Sequence, residues 1–334
     1  MDYIGCKAKS NAWIYSIIDS MLARKFGCEK YIFIDGCAGS GSTSRFFTRM
    51  GFDVIANDLL EFSSVMVEGF ILSSSKLSAT LRHIERINSL KGVKGFFYEH
   101  FSEHAGRMYF TDDNTQRIDA CREYIASVRD SQIRKYLLYC GLEALSRVSN
   151  TTGVHAAFLK QFKTRAKDKF TLRGEPSIDT PQAPVTHHMD IVELVKKLKE
   201  PNSILYIDPP YNNRQFGPNY HLYETFVRYD DPELIGKTGL RKNWKAESGS
   251  AFCNKNGLAA ALQQIAAHSQ SELTYLSYSS DGIASIRDIL NSLNADATIF
   301  TRRMTRYKSD TNPSRKYNLA PLFELLFEIQ RPKP

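Results

Sequence analysis

The stretch from Lys30 to Asp58 constrains the fold more than any other part of the chain. Lys30-Tyr-Ile-Phe-Ile-Asp35 is a short apolar run ending in an acid, the pattern of a buried strand. Gly36-Cys-Ala-Gly-Ser-Gly41 follows as a tight loop, Ser42 to Met50 has helical character, and Gly51 is placed to stop that helix. Phe52-Asp-Val-Ile-Ala-Asn-Asp58 is a second strand-like run, again ending in an acid. A strand, glycine loop, helix and strand in this order predict a right-handed crossover within a parallel sheet.

Downstream, the pattern from Glu61 to Phe170 is mostly helical, with long charged segments such as Arg117 to Arg147 and a ragged interruption from Phe96 to Asn114. Pro176, Pro181 and Pro184 mark a loop that returns to strand-like sequence near Val185. Sheet character resumes at Ile204-Leu-Tyr-Ile-Asp208 and at Leu273-Thr-Tyr-Leu-Ser-Tyr278. The expectation is an α/β sheet that begins, pauses for a helical block, and resumes. We divide the chain into residues 1–75 and 180–334, carrying the sheet, and an inserted helical region, 76–179.

Composition narrows the class of partner. The chain has 334 residues, 42% hydrophobic and 24% charged, as in ordinary globular proteins, and a net charge of +8 that favours polyanions. Between Ser131 and Arg173, nine cations (Arg134, Lys135, Arg147, Lys160, Lys163, Arg165, Lys167, Lys169, Arg173) face two acids, Glu143 and Asp168. A second run, Arg302, Arg303, Arg306, Lys308, Arg315 and Lys316, faces only Asp310. One such run is usually a solvated face; two in one chain point to a surface that tracks phosphates. The six cysteines form no C-x-x-C pair, which argues against a zinc knuckle or disulfide framework and suits a reducing cytoplasm. His100, His104, His187 and His188 lack the partners of a metal set, so no metal is expected. No signal-peptide core and no apolar run near the ~20 residues of a membrane span are seen, so a cytoplasmic protein is expected.

Two segments carry chemistry. In Asp35-x-x-x-Gly39-x-Gly41, glycines let backbone approach a ligand closely, and Asp58 falls 17 residues beyond Gly41, where an acid accepts hydrogen bonds from ribose hydroxyls. That geometry suits any adenosine cofactor, NAD or S-adenosylmethionine. The missing third glycine and the Ser42-Thr43-Ser44 helix start disfavour a pyrophosphate. The second segment is Ile204-Leu-Tyr-Ile-Asp208-Pro-Pro-Tyr211, an apolar strand running into an acid, two prolines and an aromatic. Prolines stiffen the loop and withhold N–H donors, so the Asp208 carboxylate and the Pro209 carbonyl are presented as acceptors for the two hydrogens of an exocyclic amine. Tyr211 offers a flat face to a base, worth about 1–3 kcal/mol.

With these residues in view, Asp208-Pro209-Pro210-Tyr211 resembles the catalytic motif of amino-directed methyltransferases. The longer run through Tyr211-Asn-Asn-Arg-Gln-Phe-Gly-Pro-Asn-Tyr-His-Leu-Tyr-Glu-Thr225 is similar to the D12 class of adenine-specific DNA methylases, Dam-like enzymes and those of restriction–modification systems. Tyr3-Ile4-Gly5-Cys6-Lys7 resembles that family's N-terminal cofactor motif, with Cys6 where a serine is usual. Asp35 to Gly41 resembles its main cofactor loop, with Cys37 in place of a phenylalanine, and Asn57-Asp58 followed by Ser63 fits as well. The resemblance implies a Rossmann-like S-adenosylmethionine-dependent fold, S-adenosyl-L-methionine as cofactor, and transfer of its methyl group to adenine N6 in double-stranded DNA. Cofactor contacts are then expected at Lys7, Asp35, Cys37, Gly39, Gly41, Asp58 and Asp190. Lys7 would meet the methionine carboxylate or the surroundings of the base. Asp190 would accept from the cofactor's adenine amino group or cap a helix.

The same resemblance makes the insert the reader of DNA, with Arg134, Lys135, Lys160, Lys163, Arg165 and Lys167 as expected contacts. Within it, Asn150 to Lys160 suits either an approach to DNA or a helix–helix contact. A type II modification enzyme is expected, with room for a cognate restriction endonuclease as partner and for a monomer or weak dimer. Cytosine-N4 or RNA-adenine methylation, and a non-catalytic DNA-binding relative, are the alternatives. Serine is common in place of Asp208 in the cytosine enzymes, and intact Asp208, Tyr211, Gly39 and Gly41 speak against the non-catalytic reading.

Overall fold

A computed structural model of the chain describes residues 1, 3–25, 30–305 and 321–330. Its strands are β1 (Ile32–Asp35), β2 (Asp53–Asp58), β3 (Val185–His188), β4 (Ser203–Ile207), β5 (Leu234–Ile235), β6 (Leu240–Arg241), β7 (Leu273–Ser279), β8 (Ala297–Met304) and β9 (Leu322–Gln330). Seven of them form one sheet in the order β3-β2-β1-β4-β7-β9-β8, while β5 and β6 make a small separate hairpin. The first five in that order run parallel, and β9 is antiparallel to both β7 and β8. This is the mixed α/β, Rossmann-like sheet expected from the sequence.

The helices are α1 (Asn11–Lys25), α2 (Ser42–Arg49), α3 (Glu61–Glu68), α4 (Ser74–Ser89), α5 (Phe96–Phe101), α6 (Asp112–Ser127), α7 (Ser131–Val148), α8 (Ile191–Lys197), α9 (Phe216–Arg228), α10 (Trp244–Ser248), α11 (Lys255–His268) and α12 (Ile286–Leu293). Neighbouring residues of a strand point to opposite faces, and the core divides accordingly. Phe33, Ile204, Tyr275 and Leu326 pack with Ile14, Ile18 and Phe47 of α1 and α2. Their chain neighbours Ile34, Leu205, Leu276 and Phe327 pack with α8, α11 and α12. With both faces covered, the central strands are mostly apolar, and every residue of β4 is buried.

The helical block between β2 and β3 has its own core, which joins α3 through α7 to α9. The charged run from Arg117 to Arg147 is two helices and not one. Asp130 breaks it by accepting a hydrogen bond from the Ile133 N–H as the N-cap of α7. The Asn150–Lys160 segment is not helical. Asn150 is fully buried, donates to the carbonyls of Met108 (2.9 Å) and Leu159 (3.1 Å), and accepts from the Lys163 N–H at 3.1 Å. It ties an irregular segment down where no ladder satisfies the backbone. Among the described residues no helix is long and apolar enough to cross a membrane.

Candidate active site

In the order β3-β2-β1-β4 the chain moves outward from β1 and then returns to its other side, so the sheet reverses direction between β1 and β4. Ligands of open α/β sheets bind at that reversal, beyond the carboxyl ends of the strands. A cleft of about 1010 Å³ lies there, lined by the loops after β1, β2 and β4 and by the N-terminal segment.

The glycine loop forms one wall. Gly39 and Gly41 adopt φ of +52° and +69°, the left-handed region that side chains resist. A Cβ at Gly39 would also stand 2.8 Å from the Tyr3 ring, so the loop can be this close to the N-terminal segment only with glycine there. Asp58 fastens the loop from β2: its carboxylate accepts from the Gly39 N–H at 2.8 Å and the Leu60 N–H at 3.0 Å. Burial pushes its carboxyl above the ordinary range, while those two N–H groups pull the other way. Asn57 donates to the carbonyls of Gly36 (3.1 Å) and Met189 (3.0 Å), joining the loops after β1 and β3.

Asp35 lies beneath this wall, 1% exposed. Its Oδ2 accepts from Ser44 Oγ at 2.6 Å, and its Oδ1 has no hydrogen-bond partner among the described residues. Burial drives its pKa up to about 7, against the Ser44 hydrogen bond. A buried carboxylate oxygen left unpaired, beside a loop shaped by glycines, fits a cofactor that brings a cationic amine. Cys37 lines the cleft, and burial holds its thiol well above the usual range. Asp190 also lines it, and its Oδ1 accepts from the Val192 N–H at 2.8 Å, so it caps α8.

The opposite wall is the Asp208-Pro209-Pro210-Tyr211 loop after β4. Lys7 approaches Asp208 Oδ1 at 3.1 Å and Glu324 Oε1 at 3.3 Å, and donates to the Tyr211 hydroxyl. Tyr211 in turn donates to Asp208 Oδ1, lies 3.2 Å from Ser277 Oγ, and sets its ring edge-on to Tyr278 at 5.2 Å between centroids. Ser10 and Ser277 donate to Glu324 at 2.5 and 3.2 Å. Burial would lower the Lys7 pKa, but the carboxylates of Asp208 and Glu324 outweigh it and hold the ammonium protonated. Burial raises the Asp208 carboxyl against the pull of Lys7 and the Tyr211 hydrogen bond. Lys7 thus donates to the Tyr211 hydroxyl and stands within ion-pair distance of two carboxylates.

The structure brings Lys7, Cys37, Gly39, Asp58, Asp190, Asp208, Pro209, Pro210 and Tyr211 to one cleft; Asp35 and Gly41, also expected there, do not line it, Asp35 being bonded to Ser44 of α2 and Gly41 lying against Met66 and Val67 of α3. The basic residues lie elsewhere. Arg134 and Lys135 are exposed on α7, and Lys135 is tied to Glu68 of α3. Lys160 is exposed at the end of the irregular segment and Arg165 and Lys167 on the 3-10 turn Thr164–Lys167, while Lys163 donates to the Thr151 carbonyl at 2.8 Å. In the second basic run, Arg302 donates to the Lys9 carbonyl at 2.7 Å, and Arg306, Lys308, Arg315 and Lys316 lie outside the described residues.

Glu324 and Ser10 were not among the residues expected at the site. The readable signal was Leu322-Phe-Glu324-Leu-Leu-Phe-Glu328-Ile, two acids on one face of an otherwise apolar strand. A buried acid needs a partner, and Glu328 finds Tyr275 at 2.9 Å.

A parallel sheet with a glycine loop, a strand-end acid and a proline-stiffened carboxylate converging at its reversal point is that of a Rossmann-like methyltransferase. The chain belongs to the D12 class of N6 adenine-specific DNA methyltransferases, whose family model matches residues 3–291. It is 30% identical over 346 residues to the type II methyltransferase M.NlaIII of Neisseria lactamica, covering 99% of both chains. It is 30% identical over 316 residues to M.CviAII of Paramecium bursaria Chlorella virus 1, covering 92% of both. M.FokI of Planomicrobium okeanokoites is 30% identical over 353 residues; the match covers 99% of this chain and 53% of that one.

Proposed function

We propose that this enzyme is the modification methylase of a type II restriction–modification system, transferring a methyl group from S-adenosylmethionine to adenine N6 within a specific duplex sequence. The names of its relatives support the system. The observation that carries the chemistry is the Asp208 carboxylate, buried at the end of β4 with Oδ1 engaged by Lys7 and Tyr211, in the same cleft as the glycine loop.

The glycine loop, Asp58 and Asp35 would hold the cofactor: Asp58 at the ribose, and Asp35 Oδ1 toward the amine of the methionine part. When bound, S-adenosylmethionine supplies a methyl group already activated as a sulfonium. The target adenine leaves the stack to reach the cleft, since its N6 is otherwise engaged in pairing. With Asp208 Oδ1 engaged, Oδ2 and the Pro209 carbonyl accept the two N6 hydrogens and steer the nitrogen lone pair out of conjugation with the ring. Tyr211, its hydroxyl anchored by Asp208 and Lys7, offers its face to the base. Lys7, bonded to Tyr211 and paired with Asp208 and Glu324, serves the catalytic loop and not the methionine carboxylate. These residues act by positioning and by fixed charge. Residues 76–179 form the target-recognition region, where the exposed Lys160, Arg165 and Lys167 supply phosphate contacts.

Asp208→Ala tests the assignment. Methyl incorporation from tritiated S-adenosylmethionine should fall by about a hundred- to a thousandfold, as when a principal electrostatic contact is removed. Retention of duplex DNA in a gel-shift assay should persist. Near-normal turnover by this variant would overturn the assignment.

A further inference from the structure

We propose that Glu324 is a positioning residue for methyl transfer: by sharing the Lys7 ammonium with Asp208, it sets how the Asp208 carboxylate is presented to the target amine. This rests on the reading of Asp208 as the amine acceptor and adds to it a residue from a strand far from the motif.

The geometry is that of one cation between two carboxylates, with Lys7 Nζ 3.1 Å from Asp208 and 3.3 Å from Glu324. Glu324 is 4% exposed and Lys7 7%, so neither charge is relieved by water. Glu324 reaches the catalytic loop by two routes. One runs through Lys7; the other is by contact through Ser277, which donates its hydroxyl hydrogen to Glu324 at 3.2 Å and packs its oxygen 3.2 Å from the Tyr211 hydroxyl. Lys7 and Tyr211 are the two groups engaging Asp208 Oδ1, and both are therefore placed from β9. Ser10, at 2.5 Å, fixes the other oxygen of Glu324 and ties the N-terminal segment into the same array.

A Lys7–Asp208 pair alone would be neutral and self-sufficient. Burying a second carboxylate there is unfavourable unless it does something, because a desolvated charge costs several kcal/mol before compensation. Its electrostatic consequence is definite. Glu324 divides the attraction of Lys7 and adds a like charge, so Asp208 stays a stronger hydrogen-bond acceptor than it would be beside Lys7 alone. Asp208 is faced by Lys7 from the N-terminal segment, Tyr211 from its own loop, Glu324 from β9, Tyr206 from β4, Asp35 and Cys37 from the end of β1, and Tyr3. Lys7 is the one cation in that set, so what holds Lys7 controls the acidity of Asp208.

Glu324→Gln keeps the shape and removes the charge, and kcat and both KM values should be followed against pH for it, Glu324→Asp and the wild type. The expected result is a plateau kcat lower by about tenfold. The acid limb should move down by about one pH unit, because Asp208 then has Lys7 to itself and ionises more readily. KM for DNA and cofactor should stay within about twofold, and Glu324→Asp should recover part of the rate. An unmoved acid limb with kcat near that of the wild type would overturn the inference. If Glu324→Gln does not fold, Ser277→Ala decides: it removes the hydroxyl that holds Glu324 Oε1 and packs against the Tyr211 hydroxyl, and should lower kcat with KM intact, and an unchanged kcat overturns the inference. A wild type that leaves adenine unmethylated would defeat the underlying reading instead, so the two failures are distinguishable.

Discussion

Asp35 concentrates the tension between stability and binding in a single side chain. Its carboxyl has a pKa of about 7 when folded and an ordinary value of 3.8. Between those values the native state holds a proton that the unfolded chain releases, so this group's contribution to stability falls as pH rises from about 4 to 7 and stays low above it. Asn carries no such charge and can still accept from Ser44. Asp35→Asn should therefore be more stable than the wild type by a margin that grows across this window, on the order of a few kcal/mol at pH 8. Urea denaturation at pH 5 and pH 8 measures it, and an equal margin at both values would contradict the account. The same variant should bind S-adenosylmethionine more weakly, since its uncharged amide loses the attraction offered to a cationic amine.

At the scale of elements, the glycine loop shows what was legible in the sequence and why. Strand, loop, helix and strand are consecutive between Lys30 and Asp58, so their pattern survives in the primary order, and the structure places them as β1, α2 and β2. The β4 strand running into Asp208 was readable for the same reason. The helix break at Asp130 was obscured, because charged residues on both sides mimic one long amphipathic run while the cap is a single side chain. The Glu324 array was hidden by distance: Ser10 and Glu324 meet across 314 residues, and only the antiparallel entry of β9 beside β7 brings Glu324 beneath the catalytic loop. Gly39 carries the prediction at this scale. Gly39→Ala forces an L residue to φ +52° and drives a methyl group toward Tyr3, at a cost of about 1–2 kcal/mol in folding. Because loop and N-terminal segment shift together, cofactor affinity should fall roughly tenfold, equivalent to about 1.4 kcal/mol. Calorimetric titration with S-adenosylmethionine tests this, and unchanged affinity would contradict it.

Across the whole molecule, the cleft at the reversal of the sheet is accompanied by a helical block between β2 and β3 that shares its core with α9 and carries exposed cations, which we propose contact DNA. Phosphate contacts release counterions, so the logarithm of affinity falls with the logarithm of salt by about 0.9 per contact. Replacing Lys160, Arg165 and Lys167 with Ala should flatten that slope for duplex DNA, whereas Lys135→Ala, whose ammonium is already held by Glu68, should change it less. A triple variant with an unaltered slope in a salt series would remove these residues from the DNA surface. The central claim is that the cleft places a methyl group on the exocyclic nitrogen of adenine. It is tested most directly by incubating the enzyme with S-adenosylmethionine and unmethylated genomic DNA, digesting to nucleosides and identifying the product by mass spectrometry. The account predicts N6-methyladenosine as its deoxynucleoside, dependent on Asp208; N4-methylcytosine, or no methylated nucleoside from a cofactor-binding enzyme, would contradict it.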